Sequence, residues 1–309
     1  MTRVFLAGAT GVLGRRALPL LVAAGHEVTA VARTEEKAAR VRAAGAVPVT
    51  VDLFEPAAAK AAVEGHDVVV NLTTHIPSLA RAGMPGAWKE NERIRREVSA
   101  NLVDASLAVG ATRYVQEALA FVYVDAGDAW VDEDSPVDGG SFNQGVHVAE
   151  AQTARFTASS GPHGAGVVLR FGLFHGAESE QTRQAVSLAR RGFALTLGRP
   201  GAYLAMIEVD DAATAVVAAL GAPAGVYNVV DDEPLTRADY ASALAGAVGR
   251  TKPLRLPPVV ASKVGGSKTA LLARSERVRN RRFQAAAGWS PACASAREAW
   301  AKVVRELDS

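Results

Sequence analysis

The stretch Arg3 to Gly14, RVFLAGATGVLG, limits what this chain can fold into more than any other. Four apolar residues, Val4, Phe5, Leu6 and Ala7, run into three glycines spaced three apart, Gly8, Gly11 and Gly14. The residues after them, Val12 to Ala24, carry apolar side chains at helical spacing. That pattern predicts a buried parallel strand, a tight turn and the first turn of a helix. In such a turn Gly8 lets the chain reverse where a side chain would clash, and Gly11 lets backbone N–H groups approach a pyrophosphate. Gly14 lets the helix pack closely on the strand, and the helix start, with Thr10, Val12 and Leu13, offers partial positive charge. Placed directly after a strand, the turn points to a dinucleotide more than to an ordinary glycine-rich connection.

The next strand, Val28 to Ala32, ends at Arg33. An acidic residue near this point suits the 2′-hydroxyl of NAD, whereas Arg suits a 2′-phosphate, so NADP is expected and NAD is the alternative. Lys37 and Arg40 on the following helix add charge. Strand and helix then keep alternating. Val47 to Val51 is a strand ending at Asp52-Leu53, residues 56–63 a helix, Asp67 to Leu72 an apolar strand, and Glu92–Val109 a helix. Strand Arg113–Glu117, helix 146–158 and strand Gly166–Phe171 follow. Repeated βα units of this length imply an α/β fold with a doubly wound parallel sheet. Its ligand crevice lies at the carboxyl ends of the strands, among the loops after Leu72, Glu117 and Phe171. The cofactor contacts are therefore expected from Gly8, Thr10, Gly11, Val12, Leu13, Gly14, Arg33, Asp52, Leu53, Leu72, Thr73 and Thr74. Pro19, inside the first helix, predicts a kink.

The totals exclude several classes of function. With 309 residues, 49% hydrophobic and 21% charged, the chain is expected to be a soluble globular protein of one large domain, or a domain plus a lobe. A net charge of +2 gives no field for nucleic acid or an anionic membrane, and no apolar run reaches spanning length. The single cysteine, Cys293, allows no internal disulfide and fits a reducing compartment. The chain opens on a strand and a glycine turn, so a cytoplasmic location is expected. The six histidines show no metal-ligand spacing, and no metal is expected.

Five segments in order give the chain a family resemblance: LAGATGVLG, VVLRFGLFHG ending at Gly176, IEVDDAATAVVAAL (207–220), GVYNVVDDEPLT (225–236) and AAGWSP (286–291). Together they resemble the extended short-chain dehydrogenase/reductase superfamily of the NAD-dependent epimerase/dehydratase type, over most of the chain. The resemblance implies a Rossmann-like domain from 1–171 plus 206–232 and a small C-terminal substrate lobe from 172–205 plus 233–309. It also implies a small-molecule substrate and a homodimer through helices 92–109 and 146–158. Asp210 and Asp211 are expected to open a helix, capping its N-terminus and complementing its dipole. Arg274, Arg277, Arg279, Arg281 and Arg282 read as a solvated helix face, or as part of a grip on an anionic substrate group.

The family's catalysis rests on a Ser or Thr after the fifth strand and a Tyr-x-x-x-Lys on the next helix, where the ammonium lowers the phenol pKa. Glu150 resembles the Glu that follows the Lys, which puts Val146 at the Lys position and Phe142 at the Tyr position. None of the five tyrosines has a Lys four residues later, and no lysine occurs between Lys89 and Lys252. Gln116 to Val122 holds no hydroxyl, so the Ser/Thr position (Ala118 or Leu119) is empty, and Ala120 and Phe121 replace an acidic pair. The diphosphate-gripping Arg before V-D-D is replaced by Leu204, Ala205 and Met206, which disfavours a nucleotide sugar. Replacement chemistry is sought among Thr73, Thr74, His75 and Asn143. Glu117, Tyr123, His147 and His175 are the catalytic candidates. His147 lies one residue past the vacant Lys position, roughly 100° around the helix. Three readings stay open: an NADP-dependent oxidoreductase or epimerase-like enzyme on a small carbonyl or hydroxyl compound with nonstandard proton transfer, a cofactor-sensing regulator, and a non-redox isomerase or lyase.

Overall fold

Valines, leucines and alanines on short strands between helices give a parallel sheet covered on both faces. The computed structural model describes residues 1–77, 84, 86–140, 143–194, 196, 198–251 and 273–309. Its first half runs β1 (Arg3–Ala7), α1 (Val12–Ala23), β2 (Glu27–Val31), α2 (Glu35–Ala43), β3 (Val47–Val49), α3 (Pro56–Val63) and β4 (Val68–Asn71). A long helical segment follows as α4 (Lys89–Arg93), a π-helical turn (Ile94–Val98) and α5 (Ser99–Val109). Then come β5 (Arg113–Leu119), a 3-10 turn (Ala120–Val122), β6 (Trp130–Val131), α6 (Gln144–Ser159) and β7 (Ala165–Phe171). The remainder is β8 (Leu173–His175), α7 (Glu180–Arg190), β9 (Tyr203–Leu204), β10 (Met206–Glu208), α8 (Val209–Ala219), β11 (Gly225–Val229), β12 (Leu235–Thr236) and α9 (Arg237–Ala247). The chain ends with β13 (Arg277–Val278), α10 (Arg281–Ala287) and α11 (Ala296–Asp308).

Seven parallel strands form the central sheet in the order β11-β7-β5-β4-β1-β2-β3. The order reverses between β1 and β4, where an open α/β sheet leaves a crevice at its carboxyl edge. One face buries Val4, Leu6, Val70 and Val115 against α1 and α8; the other buries Phe5, Val69 and Tyr114 against α3 and α5. The alternation of successive strand residues between these two cores is why both faces read as apolar in the sequence. Among the described residues no helix is long and apolar enough to cross a membrane.

Helix α1 is continuous through Pro19, which lies on its exposed face. Two expectations need correction. Asp210 and Asp211 do open α8, in its first turn, but its cap is Glu208, whose carboxylate accepts from the backbone N–H of Asp210 (2.9 Å) and Asp211 (3.3 Å). Asp211 instead accepts from the N–H groups of Ala292 (2.7 Å) and Cys293 (2.9 Å), tying the C-terminal segment to α8. Most of the arginine run is not a solvated helix face, although exposed Arg281 at the start of α10 is. Arg274 pairs with Asp138, Arg279 with Asp132 (2.9 Å), and Arg282 with Glu133 (3.5 Å) and Asp134. Arg277 lies over Trp130 (4.2 Å) and Tyr203 (4.8 Å). The run thus fastens the strand at 277–278 to an acidic loop about 145 residues earlier in the chain.

Candidate functional site

At the reversal point the glycines do what their spacing demands. Gly8 has φ +85°, and a Cβ there would sit 2.5 Å from the carbonyl carbon and oxygen of Leu72, so β1 and β4 end in contact. A Cβ on Gly14 would sit 2.2 Å from the Gly8 carbonyl oxygen and 2.6 Å from Ala9 Cα, so only glycine lets α1 start this close to the turn. A Cβ on exposed Gly11 would meet nothing closer than 3.4 Å; the space beside it is the cavity itself. No side chain caps α1 and no acidic residue stands in its first turn, which leaves its N–H groups for a ligand.

The cavity measures about 620 Å³. Of the expected residues Gly8, Thr10, Gly11, Arg33, Asp52, Leu53, Leu72, Thr73 and Thr74 line it, whereas Val12, Leu13 and Gly14 form the helix start behind it. Lys37 joins Arg33 at one end. Among the described residues neither of these two cations is in an ion pair, while Arg40 and Arg42 are taken by Glu36 (2.6 Å) and Glu35 (2.8 Å). Two unpaired cations beside the start of α2 suit a phosphate. At the other end Asn71 fixes the loop after β4. Its Oδ1 accepts from the Thr73 N–H (3.1 Å) and hydroxyl (2.5 Å), and its Nδ2 donates to Gln116 Oε1 (3.0 Å). Reading the sequence missed Val31, Thr50, Val51, Phe54, Glu90, Ile94 and Val98, which also line the cavity. Most are ordinary core residues by type, and only the fold turns them inward. The residues fit an NADP-type dinucleotide: a glycine cradle, free helix N–H groups and a cationic end.

The catalytic candidates fare differently. Arg95, from the π-helical turn, donates through Nη2 to both carboxylate oxygens of Glu117, at 2.8 and 3.1 Å, in a buried ion pair. Tyr123 is fully buried; its hydroxyl donates to Asn228 Oδ1 (2.7 Å) and accepts from Arg170 (2.9 Å), which grips Glu150 at 2.7 and 2.8 Å. Burial pushes the Tyr123 phenol up to about 12, the opposite of what a proton donor needs. His147 Nε2 lies 2.9 Å from the Asp138 carbonyl oxygen, and a carbonyl can only accept, so that nitrogen carries the hydrogen. His175 is buried, stacked on Tyr240 (ring centroids 5.7 Å apart) and edge-on to Trp300 (4.7 Å), with neither ring nitrogen hydrogen-bonded. Desolvation pushes its pKa down to about 3, so the ring is neutral. Asn143 is buried and donates to the Phe121 carbonyl oxygen (3.4 Å). The structure leaves Thr74 and His75 exposed, and the His75 N–H is held by Asn91 Oδ1 (3.0 Å). Ala118, Ala120 and Val146 are buried and apolar, and Phe142 lies outside the described residues.

Among the described residues one cluster has metal-binding atoms: those of Glu208, Asp211 and Cys293 lie within 4.8 Å of one another. Its carboxylates already accept backbone N–H groups, and Lys302 Nζ, 2.9 Å from Glu208, supplies the positive charge.

A family model described as NAD(P)H-binding matches residues 8–159. A 3-diazoavenalumate denitrifying reductase from a Streptomyces species is 35% identical over 298 residues, 94% of this chain and 96% of that protein. A 2-alkyl-3-oxoalkanoate reductase from Shewanella oneidensis is 26% identical over 84% of this chain and 68% of its own length. The crystal structure of a human epimerase family protein, SDR39U1, with NADPH superposes with a TM-score of 0.80 at 25% identity, covering 99% of this chain and all of that one.

Proposed function

This chain belongs to the extended short-chain dehydrogenase/reductase superfamily, as an atypical NAD(P)H-binding member of its epimerase type, and from that footing we propose that it is an NADPH-dependent reductase whose substrate accepts a hydride without needing a proton from the protein. The observation that carries the reading is the contrast within one crevice. The cradle for a dinucleotide is complete, with Arg33 and Lys37 at its end in no ion pair among the described residues, while apolar residues fill the described positions of the proton-transfer group.

Reduced nicotinamide supplies a hydride, and what the protein must add depends on the acceptor. A carbonyl becomes an alkoxide and needs an acid beside it. A carbon bearing a diazonium group does not: the new C–H bond forms as the C–N bond breaks, and dinitrogen leaves with the bonding electrons. The Streptomyces relative, named as a denitrifying reductase of a diazo compound, fits that second class, and so does a site without an acid. In this reading α1 and the glycine turn hold the pyrophosphate, and Arg33 and Lys37 hold the 2′-phosphate. Ala118, Ala120 and Val146 keep water from the reacting carbon. The lobe from 172–205 and 233–309 supplies the substrate's other contacts.

The competing acceptor is a small carbonyl compound, protonated by water or by exposed His75. The test supplies NADPH deuterated at the transferred position with an aryl diazonium carboxylate, and separately with a panel of ketones and aldehydes. We expect loss of the reduced-nicotinamide absorbance with the diazonium, gas release, and deuterium on the ring carbon that lost nitrogen. Turnover of the carbonyl panel alone would replace this reading by the second one.

A further inference from the structure

Phe54 follows the Asp52-Leu53 pair at the exit of β3 and lines the dinucleotide cavity. Four contacts hold it. Asp52 Oδ1 accepts from the Phe54 N–H (3.0 Å), and Asn101 Nδ2 donates to the carbonyl oxygens of Leu53 (2.9 Å) and Phe54 (3.1 Å). The guanidinium carbon of Arg93 lies 3.8 Å from the ring centroid. Arg93 is steadied in turn by Glu97, one helical turn on, at 3.0 Å. The two helical contributors, Arg93 and Asn101, flank the π-helical turn whose Ile94 and Val98 line the same cavity. Such turns are costly and concentrate at functional places.

Phe54 also packs against the core on that face of the sheet, but a side chain that only filled space would need neither the backbone ties nor the cation. Fixing the backbone on both sides and covering one ring face with a cation gives a flat aromatic ring held beside the cavity. A cation over an aromatic ring is itself a favourable contact, so the arrangement is stable before any ligand arrives. We infer that Phe54 is a preorganised stacking platform that positions the adenine of the bound nucleotide, and that Arg93 is a positioning residue acting through it. The inference rests on the proposal that NADPH occupies this cavity. It assigns nucleotide recognition in this chain to an aromatic–cation pair as well as to the glycine turn.

The experiment measures calorimetric affinities for NADPH, for 2′,5′-ADP and for reduced nicotinamide mononucleotide, in wild type and in Phe54→Leu, Arg93→Met and Arg93→Lys, with thermal unfolding beside each. Phe54→Leu should weaken both adenine ligands by about tenfold, the size of a lost base–aromatic stack, and leave the affinity for the mononucleotide unchanged. Arg93→Met should weaken the adenine ligands by about threefold, and Arg93→Lys, which keeps a cation over the ring, should restore them. Arg93 is half-exposed, so its variants keep the fold even where Phe54→Leu does not. If wild type binds neither adenine ligand, the NADPH assignment fails and this inference with it. If wild type binds both and Phe54→Leu binds them equally well, or loses the mononucleotide to the same degree, the platform alone is overturned. Arg93→Met with wild-type affinities would remove Arg93 from it.

Discussion

The carboxyl ends of β1–β4 and those of β5 and β7 belong to one sheet edge, yet they are built on opposite terms. On the first side polar groups are left uncommitted: Arg33 and Lys37 have no ion pair among the described residues, and the N–H groups of α1 have no side-chain cap. On the second side every candidate for acid–base work is committed or sealed. Glu117 is bound to Arg95, Tyr123 to Arg170 and Asn228, His147 to Asp138, and His175 is enclosed by aromatic rings. An uncommitted group can bind a ligand; a committed one holds the fold. The difference separates binding from chemistry within a single crevice, and it can be broken from either side.

The largest effect should come from Glu117→Ala. Arg95 and Glu117 expose almost nothing, with side chains 1% and 5% accessible. Removing one partner leaves an uncompensated buried charge, so the variant should lose about 3–5 kcal/mol of stability in urea denaturation. A stable variant without turnover would make Glu117 a catalytic group and dissolve the contrast.

His175 offers a test by pH. Its folded pKa, about 3, lies below the ordinary value of 6.5, so below pH 6.5 the unfolded chain takes up a proton that the folded ring refuses. Its contribution to stability is therefore complete above pH 6.5 and is lost progressively as pH falls towards 3, by about 1.4 kcal/mol per pH unit. Asp231 and Glu276, whose pKa values burial raises, titrate in the opposite sense, so the useful quantity is the difference from a variant. His175→Phe should overtake wild type by about 2 kcal/mol between pH 6.5 and pH 5, with turnover unchanged. Loss of turnover at neutral pH would return His175 to the active site.

On the binding side, Arg33→Ala should weaken NADPH by about 1–3 kcal/mol, the usual worth of a charge-assisted phosphate contact, and leave NADH nearly untouched. Competition calorimetry with both cofactors measures this. Equal losses would mean that Arg33 does not meet the 2′-phosphate and that the unpaired state of the cations has another cause.

How much of this contrast could be read from the sequence follows from how each side is specified. The binding side depends on backbone geometry, and backbone geometry leaves residue-type signatures. Gly8 and Gly14 are glycines because a Cβ would strike Leu72 or Gly8, and Arg33 ends a strand whose position is fixed by apolar runs. The closing of the other side depends on partners far along the chain: Glu117 on Arg95, Tyr123 on Asn228, His175 on Tyr240 and Trp300. Nothing in the local pattern around His175 distinguishes a crevice histidine from an enclosed one. The same holds for Phe54, Ile94 and Val98, which look like core: Phe54 lines the cavity from the loop after β3, and Ile94 and Val98 line it from a π-helical turn that periodicity does not encode. The arginines at 274–282 read as a helix face because their acidic partners sit at 132–138.

The smallest effect, and the sharpest for the boundary between the two sides, belongs to His147. It lies on α6, one position past buried Val146, nearest to where the family keeps its lysine. Its Nε2–H is given to the Asp138 carbonyl, and Asp138 in turn holds Arg274, so the ring fastens the acidic loop to the helix. If that is its whole role, His147→Ala should cost about 1 kcal/mol, the net value of one hydrogen bond, and lower the melting temperature by a few degrees. The kcat for NADPH oxidation, and its dependence on pH, should not move. A catalytic histidine would give the reverse result: little change in melting and a lost ionisation in the pH profile of kcat/KM. The two outcomes differ in kind, so even this modest substitution decides on which side of the crevice His147 belongs.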